Sequence, residues 1–299
     1  MRVERKLHWR YQQKLDRLLD SDIPDSCRYK RKSCATFRQV IDEIAAGGKR
    51  KVYISGGVIR DMIAGADISS ADVDIKYSQV SKSELMNIFD RLGVASTVSA
   101  GKGFTYFFVG CDIDVQLEGM MITEPATMES PANSMYVDIA DMTLHDPTGF
   151  GVEDAKKRVW RIPPDADRDK WFDRPRGPQL LWRMMKFRLR GFKVPAEDVR
   201  FIYKKFAFMQ KSGAVKPAEY RNVINQVDPV AMLEMMIRDS FDHDLKEEVI
   251  LITSRLLGGD EVWKRVEDRG NVPYQELCVK LRQEAIKRRE KNRKRLTKR

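Results

Sequence analysis

The segment Val52–Tyr77, "VYISGGVIRDMIAGADISSADVDIKY", constrains this chain most. An apolar run at 52–55 predicts a strand, and Gly56 and Gly57 follow it immediately. Glycines between a strand and a helix let phosphate groups approach the backbone amides. If residues 72–76 form a strand, Asp72 and Asp74 share one face, an arrangement suited to a divalent cation. The alternative is an ordinary turn, with Asp72 capping it and Asp74 solvated.

A third acid adds to this pair. Asp114 lies within a predicted strand, "DIDVQL" at 112–117, where a lone aspartate is disfavoured. Three carboxylates at one sheet surface would repel each other unless a cation offset their charge. Asp112 is the competing candidate, since it lies two residues away on the same predicted face.

The rest of the chain divides into a mixed part and a helical part. Strands are predicted at 52–55, 104–109, 112–117 and 134–139, with a hairpin turn at 109–112. Helices are predicted at 1–20, from about 36 to 47, and at 81–92, where Ser81 and Glu84 form a capping box. Everything after about 165 reads as helical, with Asp228-Pro229 starting one helix. The fold class is therefore α+β. The predicted divisions are a basic N-terminal helix and linker (1–34), a mixed α/β domain (35–165), two helical parts (166–215 and 216–279) and a basic tail (280–299).

Positive charge is concentrated at the two ends of the chain. Residues 280–299 carry eleven Lys/Arg and two Glu, residues 1–34 carry ten basic and five acidic residues, and the whole chain has a net charge of +11. Such basic extensions indicate a polyanionic partner, RNA or DNA, with an anionic membrane surface as the weaker alternative. The tail residues expected to contact RNA are Lys287, Arg288, Arg289, Arg293, Lys294 and Arg295.

Hydropathy, cysteine spacing and histidine content indicate the cellular location and the metals to expect. No stretch reaches the roughly 18 unbroken apolar residues of a membrane span. The four cysteines lack CxxC spacing, which favours reduced thiols and a cytoplasmic location. With three histidines, none beside a cysteine pair, a zinc site is not expected.

Three motifs, in order, resemble one enzyme family. "SGGVIRDMIAG" followed by "DVD" resembles the head signature of class II tRNA nucleotidyltransferases (CCA-adding enzymes) and bacterial poly(A) polymerases. "NSMYVDIADMTLHDPTGFGVEDAKKRVWRI" (133–162) and "LLWRMMKFRLRGF" (180–192) resemble two later family segments. The resemblance covers roughly residues 50–195.

The resemblance implies a polymerase-β-like nucleotidyltransferase head, a helical neck and body, and template-independent addition of nucleotides to RNA 3′ ends. It implies that Asp72, Asp74 and Asp114 hold two Mg²⁺ ions for an in-line displacement. Gly56 and Gly57 would cradle the triphosphate, and Arg60 would contact it or stabilise the turn, with Asp61 nearby. Asn133 would contact the sugar, and Arg183 and Lys186 are matching positions of the later helix.

The sequence departs from the family where the incoming base is read. The family's Glu-Asp-x-x-Arg is here Arg176-Gly177-Pro178-Gln179-Leu180. Gly177 and Leu180 have no polar side-chain group with which to choose between CTP and ATP. Addition of AMP from ATP is therefore the first expectation and CCA addition or repair the second. A non-catalytic RNA-binding protein with the same fold is the alternative from another class.

Two further patterns are open to test. One helix carries a basic stripe at helical spacing, formed by Arg183, Lys186, Arg190 and Lys193. This stripe faces either the triphosphate and primer or merely water. The opposite face is predicted to be core and contains Leu181, Met185, Leu189 and Phe192. His145-Asp146 is interpreted as a turn, and His243 as a helix-start residue.

Overall fold

A computed structural model of the chain divides it into two compact units, Met1–Ala166 and Asp167–Arg299, and each is described by itself. The described residues are 3–22, 35–46, 48–69, 71, 73–77, 80–94, 96–101, 104–109, 113–117, 129–172, 179–211, 228–242 and 259–269, together with 250, 251, 253, 254, 257, 279, 283 and 287.

The first unit is built on an eight-stranded sheet with the order β1-β8-β7-β2-β3-β6-β5-β4. The strands are β1 (Val3–Lys6), β2 (Val52–Ser55), β3 (Val73–Tyr77), β4 (Ser96–Gly101), β5 (Phe104–Val109), β6 (Ile113–Leu117), β7 (Tyr136–Asp138) and β8 (Thr143–Asp146). Neighbours run antiparallel except β3 and β6, which are parallel.

Alternation along the central strands gives the sheet two unlike faces. On β3, Val73, Ile75 and Tyr77 are buried, whereas Asp74 and Lys76 are half-buried. The buried strand residues form one core cluster with the apolar faces of the helices, so the other face is left to polar groups. The helices of this unit are α1 (Trp9–Leu19), α2 (Phe37–Ala45), α3 (Gly57–Ile63), α4 (Lys82–Arg91) and α5 (Gly151–Lys157).

Most of the predicted elements of this unit are confirmed. The strands at 52–55 and 104–109 have the predicted bounds, and β6 and β7 lie within the predicted 112–117 and 134–139. β5 and β6 pair antiparallel, as a hairpin requires, although residues 110–112 lie outside the described part. Ser81 caps α4 by accepting from the Glu84 N–H, but the Glu84 side chain pairs with Arg50 and does not complete the capping box.

Two predictions about the edge of the sheet are wrong. Residues 3–6 are not helical, because they pair with β8 as the edge strand β1, and the helix begins only at Trp9. His145 is not in a turn: it lies within β8 and pairs in register with Glu4 and Tyr136. The first error arises because pairing between positions some 140 residues apart leaves no local pattern, whereas the second overlooked a strand that pairs with its sequence neighbour β7.

The regular elements that the structure describes in the second unit are all helices, separated by short turns such as that at 190–195. Its helices are α6 (Arg168–Phe172), α7 (Gln179–Leu189), α8 (Ala196–Lys211), α9 (Pro229–Asp242) and α10 (Asp260–Asp268). Asp228 accepts from the Val230 N–H at the start of α9, as predicted. Leu181, Met185 and Phe192 are buried as expected, but Leu189 is 37% exposed, so its assignment to the core is wrong. His243 lies outside the described residues.

A buried polar network joins three of these helices. The Arg188 guanidinium donates to both oxygens of Asp239, and the Tyr203 hydroxyl donates to Asp239 Oδ2 at 2.6 Å. Asp239 is fully buried. Burial and the neighbouring Asp239 carboxylate raise the pKa of Tyr203 well above its usual value, so it remains a donor. Because a buried charge needs its partner, this network fixes how α7, α8 and α9 pack.

No helix among the described residues is long and apolar enough to cross a membrane.

We predict that Asp239→Ala lowers the free energy of unfolding by about 3–5 kcal/mol, because it leaves the Arg188 charge without its partner. Ser240→Ala, which removes one hydroxyl from the same helix, should cost less than about 1.5 kcal/mol. Urea unfolding followed by tryptophan fluorescence measures both. Equal losses in the two variants would show that the ion pair contributes no more than an ordinary helix hydrogen bond.

Candidate active site

Two of the three predicted acids meet at the centre of the sheet. The parallel register of β3 and β6 places Asp74 and Asp114 opposite each other. On its other side Asp74 pairs with Ser55, the last residue of β2. Asp72 and Asp112 lie outside the described residues. Of the two candidates for the third acid, Asp114 is therefore the one that the described register brings beside Asp74.

The turn after β2 brings bare backbone against the Asp74 carboxylate. Gly56 has φ +77°, a left-handed conformation that favours glycine. A Cβ at this position would lie 2.6 Å from Asp74 Oδ2, well inside contact distance. Gly56 also donates its N–H to the Met135 carbonyl at 3.3 Å, which ties the turn to the start of β7. Backbone conformation and the position of the carboxylate thus each require glycine here.

Arg60, on the helix that follows this turn, is buried and hydrogen-bonded to two neighbouring side chains. Its side chain is 5% exposed, and Nε and Nη2 each donate to the Asp61 carboxylate at 2.7 Å. Its Nη1 donates to Asn133 Oδ1 at 2.6 Å. Of the two roles that the resemblance implied for Arg60, the described contacts are those of a residue that holds the turn. Asp61 is the more accessible partner, with 31% of its side chain exposed.

The contact with Arg60 also fixes the orientation of Asn133. A guanidinium offers only donors, so the Asn133 oxygen must face it, and the amide NH₂ is directed elsewhere. Asn133 ends a short 3₁₀ turn, Pro131–Asn133. The hydrogen bond from Arg60 therefore links Asn133 to the helix that follows the Gly56 turn, and it joins residues 73 positions apart.

Helix α5 supports the 3₁₀ turn from the other side. A Cβ at Gly151 would lie 2.6 Å from the Pro131 carbonyl oxygen, so α5 approaches the 3₁₀ turn too closely for any residue other than glycine. The buried Asp146 carboxylate accepts from Thr148 Oγ1 and from the N–H groups of Gly149 and Val152. Asp146 is thus a structural cap within "HDPTGFG" that holds the loop before α5.

An aromatic group on the polar face was not predicted from the sequence. Tyr136 stacks on His145 with ring centroids 4.6 Å apart, and Tyr53 meets Tyr136 edge-on at 5.4 Å. His145 Nδ1 lies 3.3 Å from a Glu4 carboxylate oxygen. Tyr136 pairs in register with Ser55, itself the partner of Asp74. The alternation of side chains along the strand in "SMYVD" is the sequence signal that could have placed Tyr136 on this face.

The remaining predicted residues belong to the helical unit. Arg183 and Lys186 are half-buried on α7, and Arg190 and Lys193 are exposed. Leu180 is 6% exposed, so its side chain packs inside the unit and presents no base-reading surface; Gly177 lies outside the described residues. Of the tail residues, Lys287 is exposed on a helical segment, and Arg288, Arg289, Arg293, Lys294 and Arg295 lie outside the described part.

The donor set fits a hard divalent cation. Asp74 is a half-buried carboxylate, and the register adds Asp114 beside it; oxygen donors of this kind suit Mg²⁺, which needs only one or two protein carboxylates. Among the side chains that the structure describes, no three potential metal ligands come together. Asp72 and the Asp114 side chain are not among them.

CCA-adding enzymes are among the solved structures that share this fold. A CCA-adding enzyme in complex with CTP aligns with a TM-score of 0.57 and 16% identity, over 95% of this chain and 73% of its own. A Thermotoga maritima CCA-adding enzyme complexed with tRNA gives 0.55 and 15%, over 91% and 71%. A tRNA nucleotidyltransferase complexed with a primer tRNA and an incoming ATP analog gives 0.52 and 18%, over 81% and 74%. No protein-family model and no curated protein sequence matches the chain. The α+β fold is therefore that of the CCA-adding enzymes, as the sequence motifs predicted.

We predict that Gly56→Ala destabilises the protein more than Gly65→Ala. Gly65 has a similar φ of +83°, but no atom lies within 4 Å of the point that a side-chain carbon would occupy. Its substitution therefore carries only the backbone cost of about 1–2 kcal/mol. At Gly56 the Asp74 carboxylate must also move. Chemical unfolding of both single variants measures the difference.

A double-mutant cycle isolates that contact. In an Asp74→Ala background the cost of Gly56→Ala should fall by the share due to this contact and leave only the backbone cost, since Gly56 combines φ +77° with ψ −133°, a conformation that residues with a Cβ rarely adopt. An unchanged cost would place the origin of the Gly56 requirement elsewhere in the turn.

Proposed function

We propose that the protein is a template-independent RNA nucleotidyltransferase, which transfers a nucleotide from an NTP to an RNA 3′ end. The observation that carries this proposal is the position of Asp74 beside Asp114 and directly against the glycine turn. Such an arrangement puts negative charge for a cation next to backbone that a triphosphate can approach. The fold shared with CCA-adding enzymes supports the same conclusion.

The residues have separate roles in this proposal. Asp74 and Asp114, with Asp72, would hold Mg²⁺. Bound Mg²⁺ supplies activation of the primer hydroxyl and neutralisation of the leaving pyrophosphate. Gly56 and Gly57 leave room for the triphosphate, and Asn133 presents its NH₂ donors to an acceptor on the sugar. Arg60 acts through Asn133 and Asp61 and is a positioning residue.

We predict that the acids rank in a fixed order when RNA extension is measured with Mg²⁺. Asp74→Asn and Asp114→Asn should each lower kcat at least about 1,000-fold, because each removes a charged ligand without changing the shape of the side chain. Asp112→Asn should change it less than about fivefold. A primer-extension assay under single-turnover conditions compares the three variants.

Thermal melting and RNA affinity serve as controls, and both should stay at their parental values. The reverse ranking of Asp112 and Asp114 would reassign the third ligand. Parental activity in Asp74→Asn would remove the site altogether.

The residues at the base-reading positions bear on which nucleotide the protein adds. We favour AMP from ATP, because Gly177 offers no side chain and Leu180 is buried. Discrimination between bases by hydrogen bonding needs polar groups that the wrong base leaves unpaired. CCA addition is the second candidate, since the similar solved structures are CCA-adding enzymes with CTP or ATP. A non-catalytic RNA-binding protein is disfavoured, because a fold without chemistry gains nothing from adjacent carboxylates.

We predict loose selectivity on a tRNA that ends before CCA. The protein should extend it most readily with ATP and without a fixed C, C, A order. Incubation with each NTP separately and with all four together, followed by sequencing of the products, measures this directly. Products ending uniformly in CCA would show that groups other than residues 177 and 180 choose the base.

The source of RNA affinity is proposed from charge. Residues 280–299 carry a net charge of +9 and no aromatic residue, so their contacts with RNA would be to phosphates. The residues proposed to make these contacts are Lys287, Arg288, Arg289, Arg293, Lys294 and Arg295.

A further inference from the structure

Trp9 is a large aromatic side chain on the surface at the start of α1. It is 57% exposed. The Arg10 guanidinium carbon lies over its ring, 5.3 Å from the centroid, and the His8 ring lies 5.8 Å away. The chain's other four tryptophans, Trp160, Trp171, Trp182 and Trp263, are each at most 1% exposed. Burial of aromatic surface is the rule for tryptophan in this protein, and Trp9 is the exception.

Basic residues of β1 and α1 flank Trp9 in the sequence. Arg5, Arg10 and Arg17 are exposed, and no ion pair within the described residues engages any of them. Arg10 and Arg17 are seven positions apart on α1 and so share one helix face. We call Arg5, His8, Trp9, Arg10 and Arg17 the N-terminal patch.

The acids of α1 do not neutralise the patch. Asp16 and Asp20 both receive hydrogen bonds from Arg38 of α2, which offsets one of their two negative charges. These contacts raise the pKa of Arg38, whose guanidinium stays charged. Lys6, next to the patch, pairs with Asp141. The three arginines of the patch outnumber the one acidic charge of α1 that Arg38 leaves over, so the patch keeps a net positive charge.

An exposed aromatic ring among arginines suits single-stranded nucleic acid, because bases stack on the ring and arginines contact phosphates. A membrane surface is disfavoured, since a helix that binds in the lipid interface needs a free apolar stripe. The apolar stripe of α1, which contains Leu15, Leu18 and Leu19, is buried in the core.

The patch lies away from the candidate active site. The Leu7 N–H donates to the Met142 carbonyl in the β7–β8 turn, at the end of the sheet opposite Gly56. β1 and β3 are four strand positions apart in the sheet, which corresponds to about 20 Å. An RNA whose 3′ end is at Asp74 would reach the patch only with nucleotides some distance upstream.

We propose that the N-terminal patch binds a single-stranded segment of the RNA upstream of its 3′ end, with a base stacked on Trp9 and phosphates held by the arginines. This inference rests on the proposed function for the position of the 3′ end, but the binding itself requires no catalysis. Consequently the patch contributes affinity for long RNA and leaves the chemical step unchanged.

The experiment uses the intrinsic fluorescence of the full chain. Because Trp9 is the one exposed tryptophan, the neutral quencher acrylamide reports on it selectively. An unstructured RNA of about 20 nucleotides, added without NTP, should protect Trp9 from quenching more than a dinucleotide does at the same nucleotide concentration, because a longer strand makes more phosphate contacts with the arginines. A third sample contains phosphatidylserine vesicles in place of RNA and tests whether the patch binds an anionic membrane.

Variants test the energetic role. Trp9→Ala should raise the Kd for the long RNA about tenfold, the loss of one stacked base, with Trp9→Phe retaining most of the affinity. Met86→Ala, which removes a different exposed apolar side chain of the same unit (42% exposed), should have no effect. Replacing Arg5, Arg10 and Arg17 together by alanine should reduce the salt slope of binding by about 2. The buried tryptophans report that each variant is folded.

The outcomes separate this inference from the proposed function. Protection of Trp9 by RNA in a protein that extends no primer would support the patch and reject the nucleotidyltransferase proposal. Extension of RNA with quenching unchanged, and with Trp9→Ala at parental Kd, would reject the patch alone. Protection by vesicles but not by RNA, or no RNA binding at all, would also overturn it.

Discussion

The separation of the sheet into an apolar and a polar face is the constraint on which the rest of the structure depends. Ile54 pairs with Ile75 in the core, so Ser55 and Asp74 pair on the opposite face. A slip of one residue would put the Asp74 carboxylate among buried apolar side chains, at a cost that the fold could not offset. Core packing therefore fixes the register, and the register places Asp74 beside Asp114.

Once the register is set, two close contacts define the surroundings of these acids. Gly56 meets Asp74 where no side chain would fit. The buried Arg60 donates directly to Asn133 from Nη1, while its Nε and Nη2 donate to Asp61. Strand, turn and 3₁₀ segment are therefore held as one rigid group, and preorganisation of this kind is what catalysis of a displacement requires.

The sequence predicts those parts of the site whose signals are local. Gly56, Asp74 and the alternation around Asp114 lie within short segments, and strands form at 52–55, 73–77 and 113–117, close to the predicted bounds. Arg188 was not identified as a network residue, because its partner Asp239 is 51 positions away. The edge strand β1 and the burial of Arg60 are of the same kind: each depends on a distant partner that no short window of sequence contains.

The central claim is that Asp74 belongs to a site where a nucleotide binds together with a divalent cation. Equilibrium binding of ATP, measured by calorimetry with and without Mg²⁺, tests this most directly. We expect binding that requires Mg²⁺ in the parent protein and is lost in Asp74→Asn, while Asp67→Asn, an exposed acid outside the site, behaves as the parent does. ATP binding that is independent of Mg²⁺ and unchanged in Asp74→Asn would contradict the claim.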